Sequence, residues 1–276
     1  MFKFILFLSM IITLFRNQLW WACHRLSDND AWHCYLGLFL SFYFIAKSNE
    51  AKPYRKINFN HLTLVLILFC LTYSFIPNSI QCFIILMILY IGYCLCLERS
   101  LNFNVILLLC FCLPWLTTFQ FYLGYPLRLI CSYGSILAFK LLAMPVELTG
   151  ILFSYQDKTI YIDAPCSGIK MLYTGLLFSV VLCNLYNLSF KKTLIFLTLT
   201  FILILITNIF RYVILFFGEA GFFYMPQWVH SGVGLLLFLI NNTICFYLIN
   251  NYETLQKFKK TCFLLIKNTL KERAQI

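Results

Sequence analysis

The sequence predicts an all-α polytopic membrane protein of about eight transmembrane helices, with an amphipathic helix on the extracytoplasmic face and a short β-hairpin. Three observations predict it. Of 276 residues, 62% are hydrophobic and only 11% charged, and mean hydropathy is +0.84, more apolar character than a water-soluble domain can bury. The apolar residues come in long runs, and most of the cationic residues collect between those runs. No linker or repeat divides the chain, so residues 1–276 read as one integral membrane domain: spans in 1–119, a second region in 120–250 and a basic tail in 251–276.

In chain order the apolar runs lie near residues 2–15, 32–46, 62–76, 79–97, 103–119, 168–187, 193–216 and 228–250. Each is read as one crossing, because about 20 helical residues match a hydrocarbon layer of about 30 Å. The first two are short. Lys3 and the first run also resemble a secretion signal, but no small-residue cleavage site follows and "WWAC" is a poor lipoprotein box, so a retained span is expected. Between the first two runs, residues 16–31 read as a polar outer loop, with Trp20 and Trp21 as interfacial anchors or substrate contacts.

Orientation follows from the cations. Lys and Arg near span ends stay cytoplasmic, and four groups mark that side: Lys47, Lys52, Arg55 and Lys56; Arg99; Lys191 and Lys192; and Lys257, Lys259, Lys260, Lys267, Lys271 and Arg273. Successive groups must then be separated by an even number of crossings, which keeps residues 120–167 wholly outside. Within that stretch, Arg128, Lys140 and Glu147 interrupt "LRLICSYGSILAFKLLAMPVEL" where a crossing helix would bury charge at high cost. An amphipathic surface helix is expected there. After Gly150, the alternation in "SYQDKTIYID" predicts a hairpin turning near Asp157 and Lys158. Read loop by loop, the net charge of +11 orients spans, and no nucleic-acid partner is expected. The tail alternates apolar and cationic residues at helical spacing, which suits the anionic inner leaflet.

Thirteen cysteines would suggest a disulfide framework in a small secreted chain. Here Cys70, Cys82, Cys94, Cys96, Cys110, Cys112, Cys183 and Cys245 lie inside apolar runs, where free Cys behaves as a small hydrophobe. No paired CxxC spacing occurs, and His24 and His33 have no neighbours at ligand spacing, so neither a metal nor a cofactor is expected. Cys166 differs by its setting. Pro165, Ser167 and Gly168 surround it immediately before an apolar helix, with Gly168 allowing close backbone approach.

With this topology Cys166 opens the sixth span on the outer side. From the cytoplasmic Lys191 and Lys192, residues 193–211 rise about 28 Å at 1.5 Å per residue, which returns Arg211 to the same level. His230 begins the eighth span there too. Their chemistries fit together. A thiol at a helix N-terminus is pushed toward thiolate, an imidazole exchanges the proton and can protonate a leaving amine, and a guanidinium can hold a developing oxyanion. Asn208, one turn before Arg211, is expected to hold that side chain in place. Each residue also has a plainer explanation: Arg211 as a snorkelling cation, His230 as an interfacial side chain beside Trp228, Cys166 as a buried thiol.

Around these residues the sequence resembles the exosortase and archaeosortase family of integral membrane cysteine transpeptidases. The resemblance rests on "APCSGIKML" around Cys166, "TNIFRYVIL" around Arg211 and "WVHSGVGLLLF" around His230, in that order, and spans roughly residues 120–250. It implies that residues 120–250 are the catalytic region. It implies a substrate that is a secreted protein ending in a short motif, a hydrophobic helix and a basic end. Cys166 would cut beside the motif and hold the product as a thioester, Arg211 would steady the oxyanion, and His230 would act as acid and base, with Ser167, Gly168 and Asn208 in support. A second nucleophile on a lipid or glycan would then take the product. Some relatives carry Arg where this chain has His230. Without the resemblance two other readings stand: a polytopic acyl- or glycosyltransferase, with Arg211 on a phosphate or carboxylate and Cys166 dispensable, and a transporter or scaffold. The last lacks an inverted repeat and a charged residue at mid-membrane.

Overall fold

The structure is a computed structural model that describes residues 2–26, 32–47, 69, 75–97, 99–156, 158–161 and 167–273; of residues 2–4, 6, 26, 227, 230 and 253–273 it describes the backbone alone. The chain divides into two compact units, Met1–Tyr125 with Asn187–Phe190, and Pro126–Tyr186 with Lys191–Ile276.

The first unit holds α1 (Phe2–Leu14), α2 (Arg16–Leu26), α3 (Trp32–Lys47), α4 (Asn78–Cys96) and α5 (Phe103–Cys110). Ile11 and Phe15 pack with Phe69, Ile85 and Ile88 in its core. Gly37 brings α3 onto the chain beyond α5: a Cβ there would lie 3.0 Å from the Phe111 carbonyl oxygen. Ser41, one turn on, turns its hydroxyl to the Gly37 carbonyl at 2.8 Å and meets Cys112 Sγ at 3.5 Å. Small residues one turn apart are the usual means of close helix approach in a membrane. Arg99 donates to the Ile45 carbonyl (3.1 Å) and to Tyr93 Oη (2.8 Å), which brings it to the Lys47 end of α3. Asn104 Nδ2 donates to the Leu188 carbonyl at 2.9 Å, so residues 187–190 reach the start of α5.

Several expectations change in this unit. Residues 16–26 form α2 rather than a polar loop, because helical spacing lets Trp20 stack on His24 (5.6 Å between centroids) and turns Gln18 inward, where its carbonyl accepts from Cys82 Sγ at 3.4 Å. The expected fifth span, 103–119, is broken. α5 ends at Cys110 and the chain turns through residues 111–115, where Pro114 cannot donate to a helical ladder. A new helix, α6 (Leu116–Leu141), then starts eleven residues before the amphipathic stretch was expected, at 127, and carries Pro126 within it. The run at 62–76 lies outside the described residues except for Phe69, Phe75 and Ile76.

The second unit continues α6 into β1 (Glu147–Thr149), β2 (Leu152–Tyr155), β3 (Lys158–Tyr161), α7 (Ile169–Leu185), α8 (Phe190–Ala220) and α9 (Gln227–Arg273). The strands form an antiparallel meander in the order β1-β2-β3. The expected hairpin is β2–β3, closed by the pair Tyr155↔Lys158, while β1 adds a strand where an amphipathic helix was read. That helix stops at Leu141 because Ala143 turns left-handed (φ 54). The Ala143 N–H then donates to the Lys140 carbonyl (3.1 Å) and the Met144 N–H to the Phe139 carbonyl (3.0 Å), a Schellman ending. α8 ends by the same device at Gly221 (φ 92), with Phe217 and Phe222 rings 5.2 Å apart across the cap.

Phe139 of α6, Phe153 of β2 and Tyr212 and Phe216 of α8 are fully buried together, with Ile160 of β3 and Cys131. The sheet therefore clasps the last two turns of α8. Deeper along the helices, Ser179 Oγ meets Thr200 Oγ1 at 3.0 Å, and Thr200 meets Cys245 Sγ at 3.6 Å. Such polar pairs join α7, α8 and α9 where apolar burial gives no driving force between helices. At the far end Tyr186 Oη donates to Asn250 Oδ1 (3.4 Å) and Lys192 Nζ lies 5.0 Å from the Tyr252 ring centroid.

Among the described residues three helical segments are long and apolar enough to cross a membrane, Asn78–Cys96, Phe190–Ala220 and Ser231–Tyr252, with Ile169–Leu185 a shorter apolar helix. Eight crossings were expected. The shortfall lies at α1 and α3, with 13 and 16 residues, at the broken 103–119 run, and at 62–76. The basic tail continues α9 without interruption as far as Arg273.

Candidate active site

α7 starts from a turn that needs its glycine. Gly168, the N-cap residue, has φ 79, a left-handed backbone that L side chains rarely adopt. Ser167 is buried, and its hydroxyl receives the Ile169 N–H at 3.5 Å. The Ser167 carbonyl accepts a hydrogen bond from Asn208 Nδ2 at 3.3 Å. A Cβ on Gly168 would stand 2.5 Å from that Nδ2 and 2.8 Å from Asn208 Cγ. The "CSG" sequence thus ends in a residue with no side chain because the Asn208 carboxamide occupies the place a side chain would take. Gly168→Ala is expected to cost about 1–3 kcal/mol from the left-handed backbone, with further loss as Asn208 is pushed aside. A lowered unfolding midpoint of the purified protein in detergent is the check.

Asn208 was expected to brace Arg211. Its hydrogen bonds run to Ser167 and, at 3.3 Å, to Cys131 Sγ. Helical side chains lean toward the N-terminus of their own helix, so Asn208 tilts away from the residue one turn ahead. Cys131 had no sequence signal beyond lying in less apolar surroundings. It sits fully buried on α6, which is not among the crossing candidates, and burial pushes its thiol up.

Arg211 is half-buried and lays its guanidinium against α9. A Cβ on Gly234 would lie 3.4 Å from both Cζ and Nε. Gly234 follows His230 by one helical turn, so the two positions share a face of α9. Of the remaining sequence candidates, Cys166 lies outside the described residues, and His230 is described as the first turn of α9 without its side chain. Within the second unit, the start of α7, Asn208 and Arg211 of α8, and Gly234 of α9 meet at one end. From there residues 168–186, 192–211 and 234–252 each rise about 27–29 Å to the opposite end, a distance close to the hydrocarbon thickness.

Chemically, that end offers a fixed cation beside a helix N-terminus, next in sequence to a thiol and one turn from an imidazole. Helices of membrane length meeting around such groups define an integral membrane protein with the side chains acyl transfer requires. The family model for transmembrane exosortases matches residues 20–247, and the chain belongs to that family. It is accordingly a membrane protein of the transpeptidase kind. No curated protein and no solved structure matches the chain.

Proposed function

We propose that this exosortase is a membrane-embedded cysteine protease and transpeptidase, multi-pass in the cell membrane, that cleaves the C-terminal sorting signal of secreted proteins on the extracytoplasmic face. The Cys166 thiolate attacks the scissile carbonyl next to the recognition motif, forming a C–S bond. The oxygen that gains charge is met by the Arg211 guanidinium. His230 takes the thiol proton and delivers it to the leaving amine as the C–N bond breaks, so the hydrophobic helix and basic end depart and the substrate remains as a thioester. An acceptor nucleophile, carried by a lipid or glycan, attacks the thioester carbonyl and returns the sulfur to its starting state.

The observation that supports this reading most strongly is the contact chain at one end of α7, α8 and α9. Asn208 bonds the Ser167 carbonyl, and Arg211 rests on Gly234, which ties the "CSG", "NIFR" and "HSGVG" segments to a shared level. The test is capture of the intermediate. Co-expression with a secreted protein bearing a C-terminal motif, apolar helix and basic end is expected to yield a hydroxylamine-sensitive adduct whose mass localises to the Cys166 peptide. A processed substrate with no such adduct in wild type, or the same adduct in Cys166→Ala, would defeat the thioester route.

A further inference from the structure

We propose that Asn208 is a positioning residue for the nucleophile: its buried carboxamide, seated between the Ser167 carbonyl and Cys131 Sγ, fixes the peptide that leads out of Cys166. The inference rests on the function proposed above.

Asn208 is 2% exposed in a helix whose neighbouring residues are mainly apolar, a place where an amide is costly unless its hydrogen bonds are used. Its Nδ2 reaches both acceptors at 3.3 Å. The direction matters. A carbonyl can be held only by a donor, so the NH2 group must face Ser167. Because the peptide is trans and planar, fixing the Ser167 carbonyl toward Asn208 turns the Gly168 N–H to the opposite side. The close approach is built in from both partners, since any side chain at 168 would collide with the amide. Cys131 supports Asn208 from α6, and Phe139 and Tyr212 anchor α6 and α8 in one aromatic core. A thiol placed by such a turn keeps its relation to the helix N-terminus, the source of thiolate stabilisation, and loss of about 1 Å of placement is enough to slow an attack by about 100-fold.

The experiment reads the thiol itself and needs no substrate. The full-length protein in detergent is alkylated with iodoacetamide over a pH series bracketing the ordinary thiol midpoint of about 8.5, and the Cys166 and Cys131 peptides are quantified by mass spectrometry. In wild type, Cys166 is expected to titrate below that midpoint. Asn208→Leu, which keeps the volume, and Asn208→Ala are both expected to raise the Cys166 midpoint and to slow its alkylation at neutral pH about tenfold, the change that one pH unit makes in thiolate fraction. Cys131 stays protected in both.

An activated Cys166 whose profile is unchanged in both variants overturns the positioning role. So does a shift that occurs only where Cys131 has become reactive, because that reports an opened fold. A wild-type Cys166 with an ordinary midpoint removes the proposed function itself, and the role of Asn208 with it.

Discussion

Cys166→Ala and Cys166→Ser are each expected to reduce processing of a co-expressed secreted substrate about 1,000-fold or more, the scale on which removal of a covalent nucleophile acts. A serine hydroxyl lacks the thiol's acidity, so the conservative variant should be nearly as inactive as alanine. Cys131 is poorly suited to replace it: its sulfur already accepts from Asn208, and burial holds the thiol protonated. The measurement is the ratio of cut to uncut substrate on a gel, beside the amount of variant protein recovered from the membrane fraction. Normal membrane recovery with lost cutting is the expected pair of results. Near-normal cutting would instead favour an acyl- or glycosyltransferase in which this thiol is dispensable.

Arg211→Ala is expected to lower the cleavage rate by about 100- to 1,000-fold, or about 2.7–4 kcal/mol, the worth of one oxyanion donor. Arg211→Lys should fall between wild type and Ala, since an ammonium keeps the charge but loses the planar fork. The contact with Gly234 sharpens this expectation. The guanidinium lies against α9 backbone, a seat that suits a flat group better than a tetrahedral one. Because the cation is assigned to the developing charge, the loss should appear in the single-turnover rate with substrate affinity changed only slightly. A variant that binds substrate poorly but cuts at the normal rate once saturated would make Arg211 a docking residue.

Much of the second unit was legible from residue order. The apolar runs at 168–187 and 193–216 correspond to α7 and α8, and the alternation after Gly150 marks β2 and β3. Hydrophobic length and period carry those signals directly. The first unit was harder, because its helices are short and the break at Pro114 falls inside an otherwise continuous apolar run. α2 was misread for a related reason: its polar composition resembles a loop, and only the burial of Gln18 beside Cys82 reveals its packing. At the site, the sequence supplied residue types and approximate depth. It could not supply the partner of Asn208, since a hydrogen bond from α8 to the turn before α7 depends on helix rotation. Nor could it expose Gly234, one glycine among several near His230, whose importance comes from the guanidinium lying over it.

The pairing of both ends of α7, α8 and α9 makes this part of the molecule a caliper of fixed gauge. Its opposite terminals are pinned by Asn208 with Ser167 and by Tyr186 with Asn250, so the helices cannot slide past each other to suit a thinner or thicker bilayer. Lipid must do the adapting, by stretching or thinning around the protein. Acyl-chain length then becomes a variable that strains the surrounding annulus before it disturbs the spacing of the reactive groups.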